Sequence, residues 1–183
     1  MRPVILIGIG YADLINSATH RKHDFSPPFG RTPGRTGGAD AYLQFLKQTI
    51  IPYAEAHLPL ARGERVLAGH SYGGLFATHA LCREPDLFRA YLIMSPALWF
   101  DGGKIYTEQC QTPLHATQVF LAANAMGTPT SDAMVRDVHR LEMLLSGRQH
   151  ILLRNDTFAG RDHNGVVAPA AEMSLPLLFP TQH

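Results

Sequence analysis

Five short stretches of the chain are almost unbroken in apolar residues: 4–9, 65–69, 90–94, 118–123 and 150–154. They are rich in leucine and β-branched residues and do not alternate with polar positions. That is the pattern of parallel strands covered on both faces. Between them, apolar positions recur three and four residues apart. Ala39, Leu43, Leu46 and Ile50 fall on one stripe with Lys47 and Gln48 facing out, which predicts a helix that Pro52 should kink or end. Residues 75–81 are apolar nearly all round and predict a central, buried helix. Val135, Val138, Leu141 and Leu145 form one face of a helix over 132–145, with Ser131 and Asp132 as its N-cap and Gly147 at its end. The stretch from Val166 has helical spacing but is interrupted by Pro169 and Pro176. Strands alternating with helices make this an α/β chain with a mostly parallel sheet of about five strands.

Composition bounds the partners more than the fold. At 183 residues, with 45% hydrophobic and 17% charged positions, the chain reads as one domain over 1–183. A net charge of +1 without a basic block argues against nucleic acid or an anionic membrane as the main partner. No apolar run is long enough to cross a bilayer. The opening Met1-Arg2-Pro3 runs straight into a short apolar segment with no cleavage site of small residues, so a cytoplasmic protein is expected. Cys82 and Cys110 form neither a disulfide framework nor a metal-ligand spacing, and are expected to be buried thiols in a reducing compartment. His20 and His23 invite a metal reading, but Arg21 and Lys22 lie between them and would repel a divalent ion, so no metal is expected. Gly8-Ile9-Gly10 lacks the third glycine of a dinucleotide site, and no cofactor is expected.

The candidate chemistry centres on Gly69-His70-Ser71-Tyr72-Gly73, with Gly74 behind it. A strand leads in and an apolar helix leads out, the setting in which a sharp turn lifts a serine hydroxyl off the end of a parallel sheet. Glycines on both flanks are expected to be sterically required. A serine nucleophile needs a base, and in this topology the histidine follows the last strand, where His163 stands. The orienting acid is expected after the strand over 118–123, where Asn124 to Pro129 offer no carboxylate; Asp132 is the first. Otherwise the site works as a Ser–His dyad, with a backbone carbonyl or Asn124 holding the imidazole. The amide of Tyr72 is one oxyanion donor by geometry, and Gly10-Tyr11 is the candidate for the second. The long connection over 11–38 should overhang the site. Its Arg21, Lys22, Arg31 and Arg35 either favour an acidic substrate or form a solvated basic loop.

Together these residues resemble the putative-esterase branch of the α/β-hydrolases, which includes siderophore esterases and S-formylglutathione hydrolases. The pieces that carry the resemblance are Ile7-Gly8-Ile9-Gly10-Tyr11, Arg21-Lys22-His23-Asp24-Phe25-Ser26-Pro27, Gly37 to Leu43, Gly69 to Leu75, Ser95-Pro96-Ala97-Leu98-Trp99 and Gly160-Arg161-Asp162-His163. The resemblance implies a three-layer sandwich with Ser71 as nucleophile, His163 as base, and Ser95 to Trp99 lining the substrate pocket. Trp99 and Arg21 are the candidate substrate contacts. Two departures stand out: Asn124-Ala125 replaces a Gly-Glu that members often carry, and upstream strands of the family have no counterpart here. The segment 4–9 should then move in beside the nucleophile strand and place Gly10-Tyr11 at the oxyanion, or a second copy should complete the sheet as a homodimer. The function these features imply is a serine carboxylesterase acting on small acyl esters through an acyl-enzyme. The competing reading is an inactive remnant that binds a ligand or partner.

Overall fold

The computed structural model of the chain describes residues 3–28, 36–61 and 63–180. Four strands, β1 (Val66–His70), β2 (Ala90–Met94), β3 (Thr117–Ala125) and β4 (Ile151–Ala159), form one sheet in the order β1-β2-β3-β4. All three pairings are parallel, with Val66 opposite Ala90, Ala90 opposite Gln118 and Thr117 opposite Ile151. Every strand therefore ends on the same edge, where parallel α/β proteins gather their functional loops. The crossovers contain α4 (Tyr72–Arg83) after β1 and α5 (Pro129–Leu145) after β3, while α6 (Val167–Leu178) follows β4.

Side-chain alternation along β2 explains why the chain forms three layers. Tyr91 and Ile93 point to one face, into a core with Leu75, Phe76 and Leu81 of α4 and Val138 and Leu141 of α5. Ala90, Leu92 and Met94 point to the other face and pack with Phe120, Val166, Ala170 and Leu178, the last two from α6. All five residues of β2 are buried, which is why this strand reads as a continuous apolar run.

The apolar segment 4–9 forms no strand. Leu6 is 91% exposed, and none of residues 4–10 makes a backbone hydrogen bond to another described residue. An apolar pattern reports that a segment is suited to burial, not that a partner is at hand. The expectation that this segment moves in beside the nucleophile strand is not met, and among the described residues β1 pairs only with β2.

Four other expectations change on folding. The helix from Ala39 does not end at Pro52: α2 (Ala39–Phe45) continues through a π-turn (Leu46–Ile50) into α3 (Ile51–His57). The wider turn falls just before the proline, which lacks an N–H and would clash with a regular preceding turn. Likewise α6 is unbroken, with Pro169 near its start and Pro176 in its last turn. The connection over 11–38 is not all loop, since α1 (Ser17–Asp24) lies in it; Arg31 and Arg35 fall outside the described residues. Helix α5 starts at Pro129, capped by Thr128, whose side chain accepts from the Ser131 N–H while Ser131 reaches back to the Thr128 N–H.

The cysteines are not thiols. Cys82 at the end of α4 is joined to Cys110, which ties the segment before β3 to the nucleophile helix. Residue spacing carried no hint of this, because two cysteines 28 apart have no signature until the fold brings them together.

Candidate active site

Strand β1 runs out at His70, and the chain reverses at Ser71 into α4. Ser71 has φ of 59° and ψ of −118°, a region that costs a side-chain-bearing residue about 1–3 kcal/mol and so must be imposed by its surroundings. Those surroundings are backbone hydrogen bonds. The Ser71 N–H donates to the Met94 carbonyl, and its carbonyl accepts from the amides of Leu75 and Ala97. Steric demand completes the turn. A Cβ on Gly69 would lie 2.0 Å from the Gly73 carbonyl oxygen, and one on Gly74 would lie 2.9 Å from Pro96. A Cβ on Gly73 would meet nothing within 4 Å, so the flanking requirement falls on Gly69 and Gly74 rather than on both ends of the pentapeptide.

His163 stands in the turn that follows β4. Gly160, at φ 71°, donates its N–H to the Ala125 carbonyl of β3, and Asp162 accepts from the Gly165 N–H at 2.6 Å. Val166, fully buried, packs with Leu92 and Met94 of β2. Beyond that, the His70 ring reaches the turn: its Nε2 donates to the His163 carbonyl at 2.6 Å, and the two imidazoles lie 4.5 Å apart, centroid to centroid. The loop histidine is thereby carried across the sheet to the residue that precedes Ser71. Burial, followed by the adjacent Arg21 charge, holds the His163 imidazole below its ordinary pKa, against the opposing pull of Asp162. His70 is also lowered, first by burial and then by the charge of His163.

Arg21 of α1 joins this group by donating to the His70 carbonyl at 2.9 Å, with its guanidinium over the Phe25 ring. Arg21 is thus half-buried and held against the serine turn rather than solvated in a loop. Trp99, 57% exposed, sits edge-on to Tyr72 at 6.1 Å, beside the turn. Tyr11 is anchored elsewhere: its hydroxyl donates to Asp24 and its ring stacks on His20. No hydrogen bond links the Tyr11 backbone to the turn among the described residues.

Among the described residues, no carboxylate is bonded to the His163 ring. Asp132 is exposed in the first turn of α5, where it suits the helix dipole, and it makes no side-chain bond to His163. Asn124 is not available either, because it is buried against Ser95: the Ser95 hydroxyl donates to its side-chain oxygen at 2.9 Å and accepts from its N–H. This pair joins the ends of β2 and β3 under the site. Two contacts escaped the sequence reading. His70 was legible only as a motif filler, and the Ser95–Asn124 pair becomes visible only once β2 and β3 are adjacent. The histidines proposed against metal binding are occupied in other ways, His23 with Asp24 at 2.7 Å and His20 with Tyr11.

A family model described as putative esterase matches residues 1–142. The chain belongs to that family. It is 37% identical over 101 residues to a siderophore triacetylfusarinine C esterase of Aspergillus fumigatus, covering 54% of this chain and 35% of that protein. It is 33% identical over 108 residues to a ferri-bacillibactin esterase of Bacillus subtilis, covering 52% and 37%. The chain thus spans little more than a third of the curated relatives it matches. Among solved structures, the Bes protein from Bacillus cereus superposes with a TM-score of 0.77 at 26% identity, over 91% of this chain and 65% of that one. A siderophore hydrolase of Aspergillus nidulans shares the fold at a TM-score of 0.77 and 24% identity, over 90% and 68%. The fold of this family member is therefore α/β-hydrolase-type, with a mostly parallel four-stranded sheet between helical layers. Among the described residues no helix is long and apolar enough to cross a membrane.

Proposed function

We propose that this family member is a serine esterase whose natural substrates are siderophore esters, with small acyl esters as surrogates. One observation carries the reading: the turn bearing His163 is hydrogen-bonded to the residue immediately before a strained Ser71. In this mechanism the Ser71 Oγ attacks the ester carbonyl and passes its proton to the His163 imidazole. The tetrahedral oxyanion is met by the Tyr72 N–H at the start of α4. His163 then protonates the departing alcohol as the acyl-enzyme forms, and water repeats the sequence to release the acid. No carboxylate is assigned to the imidazole, so the machinery is a Ser–His dyad. Arg21 and Trp99 flank the entrance, where the cation suits an acidic substrate.

His163 must be neutral to accept the proton. Since burial and Arg21 lower its pKa, the acid limb of activity should lie below 6.5, the ordinary imidazole value, rather than across it. The decisive experiment pairs a chromogenic acetyl or butyryl ester with a fluorophosphonate probe. Ser71→Ala should lose turnover and the covalent adduct together, and retained turnover would remove the serine from the mechanism.

One observation favours an inactive, ligand-binding chain instead: the segment 4–9 stays unpaired, leaving the second oxyanion donor unassigned. In that case the wild-type chain gives neither a burst nor an adduct. The disulfide fits an oxidising compartment better than the cytosol, so the cytoplasmic expectation loses its support from free thiols. A second copy laid along β1 would be one way to cover that edge. A monomeric mass by light scattering at micromolar protein would exclude it.

A further inference from the structure

The sheet order creates a distance that the chain has to bridge. Ser71 follows β1 and His163 follows β4, at opposite margins of the sheet. With adjacent strands roughly 4.8 Å apart, those margins are separated by about 14 Å. Four residue steps lead from Ala159, the last of β4, to His163, and at full extension they reach about 14 Å. The turn therefore has to cross most of the sheet, and the His70 side chain spans the remainder. Its other contacts hold it over the middle of the sheet only: Gly160 bonds to Ala125 of β3, and Val166 packs on β2. Among the described residues, the hydrogen bond from the His70 ring is the one hydrogen bond that joins this turn to β1, with the two imidazoles packed beside it. Among the described residues no side chain hydrogen-bonds to the His163 imidazole itself, so the orientation a triad acid would give the ring must come from holding its backbone.

We propose that His70 is a positioning residue whose ring N–H latches the His163 turn onto the nucleophile strand. This rests on the serine-esterase reading for its catalytic consequence but not for the latch itself. The carbonyl of His163 can only accept, so Nε2 of His70 must carry the hydrogen. That assignment leaves Nδ1 unprotonated in the neutral ring. A neutral latch does not oppose the positive charge that His163 acquires when it takes the serine proton. The half-buried setting of His70 favours this neutral form. The residue touches neither serine nor substrate in this role; it fixes where the base sits.

The test compares His70→Phe, which keeps the ring volume and removes the donor, with His70→Gln, whose amide N–H can reach the same carbonyl. In His70→Phe, hydrogen–deuterium exchange should rise in the peptide covering 160–166 and stay unchanged in β2 and α4. The kcat on a small ester should fall about 10–100-fold with KM within about twofold, since a misplaced base costs rate rather than binding. His70→Gln should recover exchange protection and most of kcat. Unchanged exchange in His70→Phe would overturn the latch. Loosened exchange with wild-type kcat would overturn its positioning role. If the wild-type chain shows no turnover, the esterase reading fails while the exchange data still decide whether the latch exists.

Discussion

The two inner glycines of the serine turn should respond in opposite directions to the same methyl group. In Gly69→Ala the new Cβ would lie 2.0 Å from the Gly73 carbonyl oxygen, 2.4 Å from its carbon and 2.9 Å from the Gly74 nitrogen. Ordinary contact begins near 3.4 Å, so relief requires a shift of more than an ångström. All three atoms are backbone at the start of α4, and no rotamer change can move them. Overpacking costs about 1–3 kcal/mol where side chains can adjust; a backbone clash places this substitution near about 3 kcal/mol or above. Gly73→Ala has open space around its Cβ and lies inside the helix, so it should be neutral or stabilise by about 0.5 kcal/mol. Urea unfolding followed by fluorescence checks both. With a slope of about 1–3 kcal/mol per molar, Gly69→Ala should lower the midpoint by about 1 M or more, while Gly73→Ala leaves it unchanged or higher. Equal destabilisation of the two variants, or a larger loss in Gly73→Ala, would refute the steric account of the turn.

Other residues test the electrostatics and the cross-links. Arg21→Gln removes a cation that lowers the His163 pKa, so the acid limb of esterase activity should move to higher pH in a pH–kcat profile. His79, 1% exposed, sits on α4 with Nε2 2.8 Å from Asp40 and Nδ1 3.0 Å from Glu108. His79→Leu leaves those carboxylates facing each other with Arg83 more distant, and should cost about 2–3 kcal/mol in chemical denaturation, discounted because Asp40 is partly in solvent. Oxidised protein unfolded in denaturant should titrate no thiols, and two after reduction. Cys82→Ala with Cys110→Ala should then lower stability by roughly 3.6 kcal/mol, the chain-entropy value for a loop of this length.

What the residues determined alone was local and periodic. The runs at 90–94 and 118–123 identified β2 and the middle of β3, because burial on both faces demands apolar side chains at every position. The Gly-His-Ser-Tyr-Gly turn was equally legible, since the clash of Gly69 with Gly73 is a contact between near neighbours. Segment 4–9 shows where such reading stops: it has the apolar pattern of a strand, but pairing depends on a partner that the pattern does not name. Tertiary structure alone decided that His70 meets the His163 turn, that Ser95 satisfies Asn124, and that Cys82 joins Cys110. Each of these joins residues at least 28 positions apart, and their distances are set by strand order and crossovers rather than by any repeat along the chain.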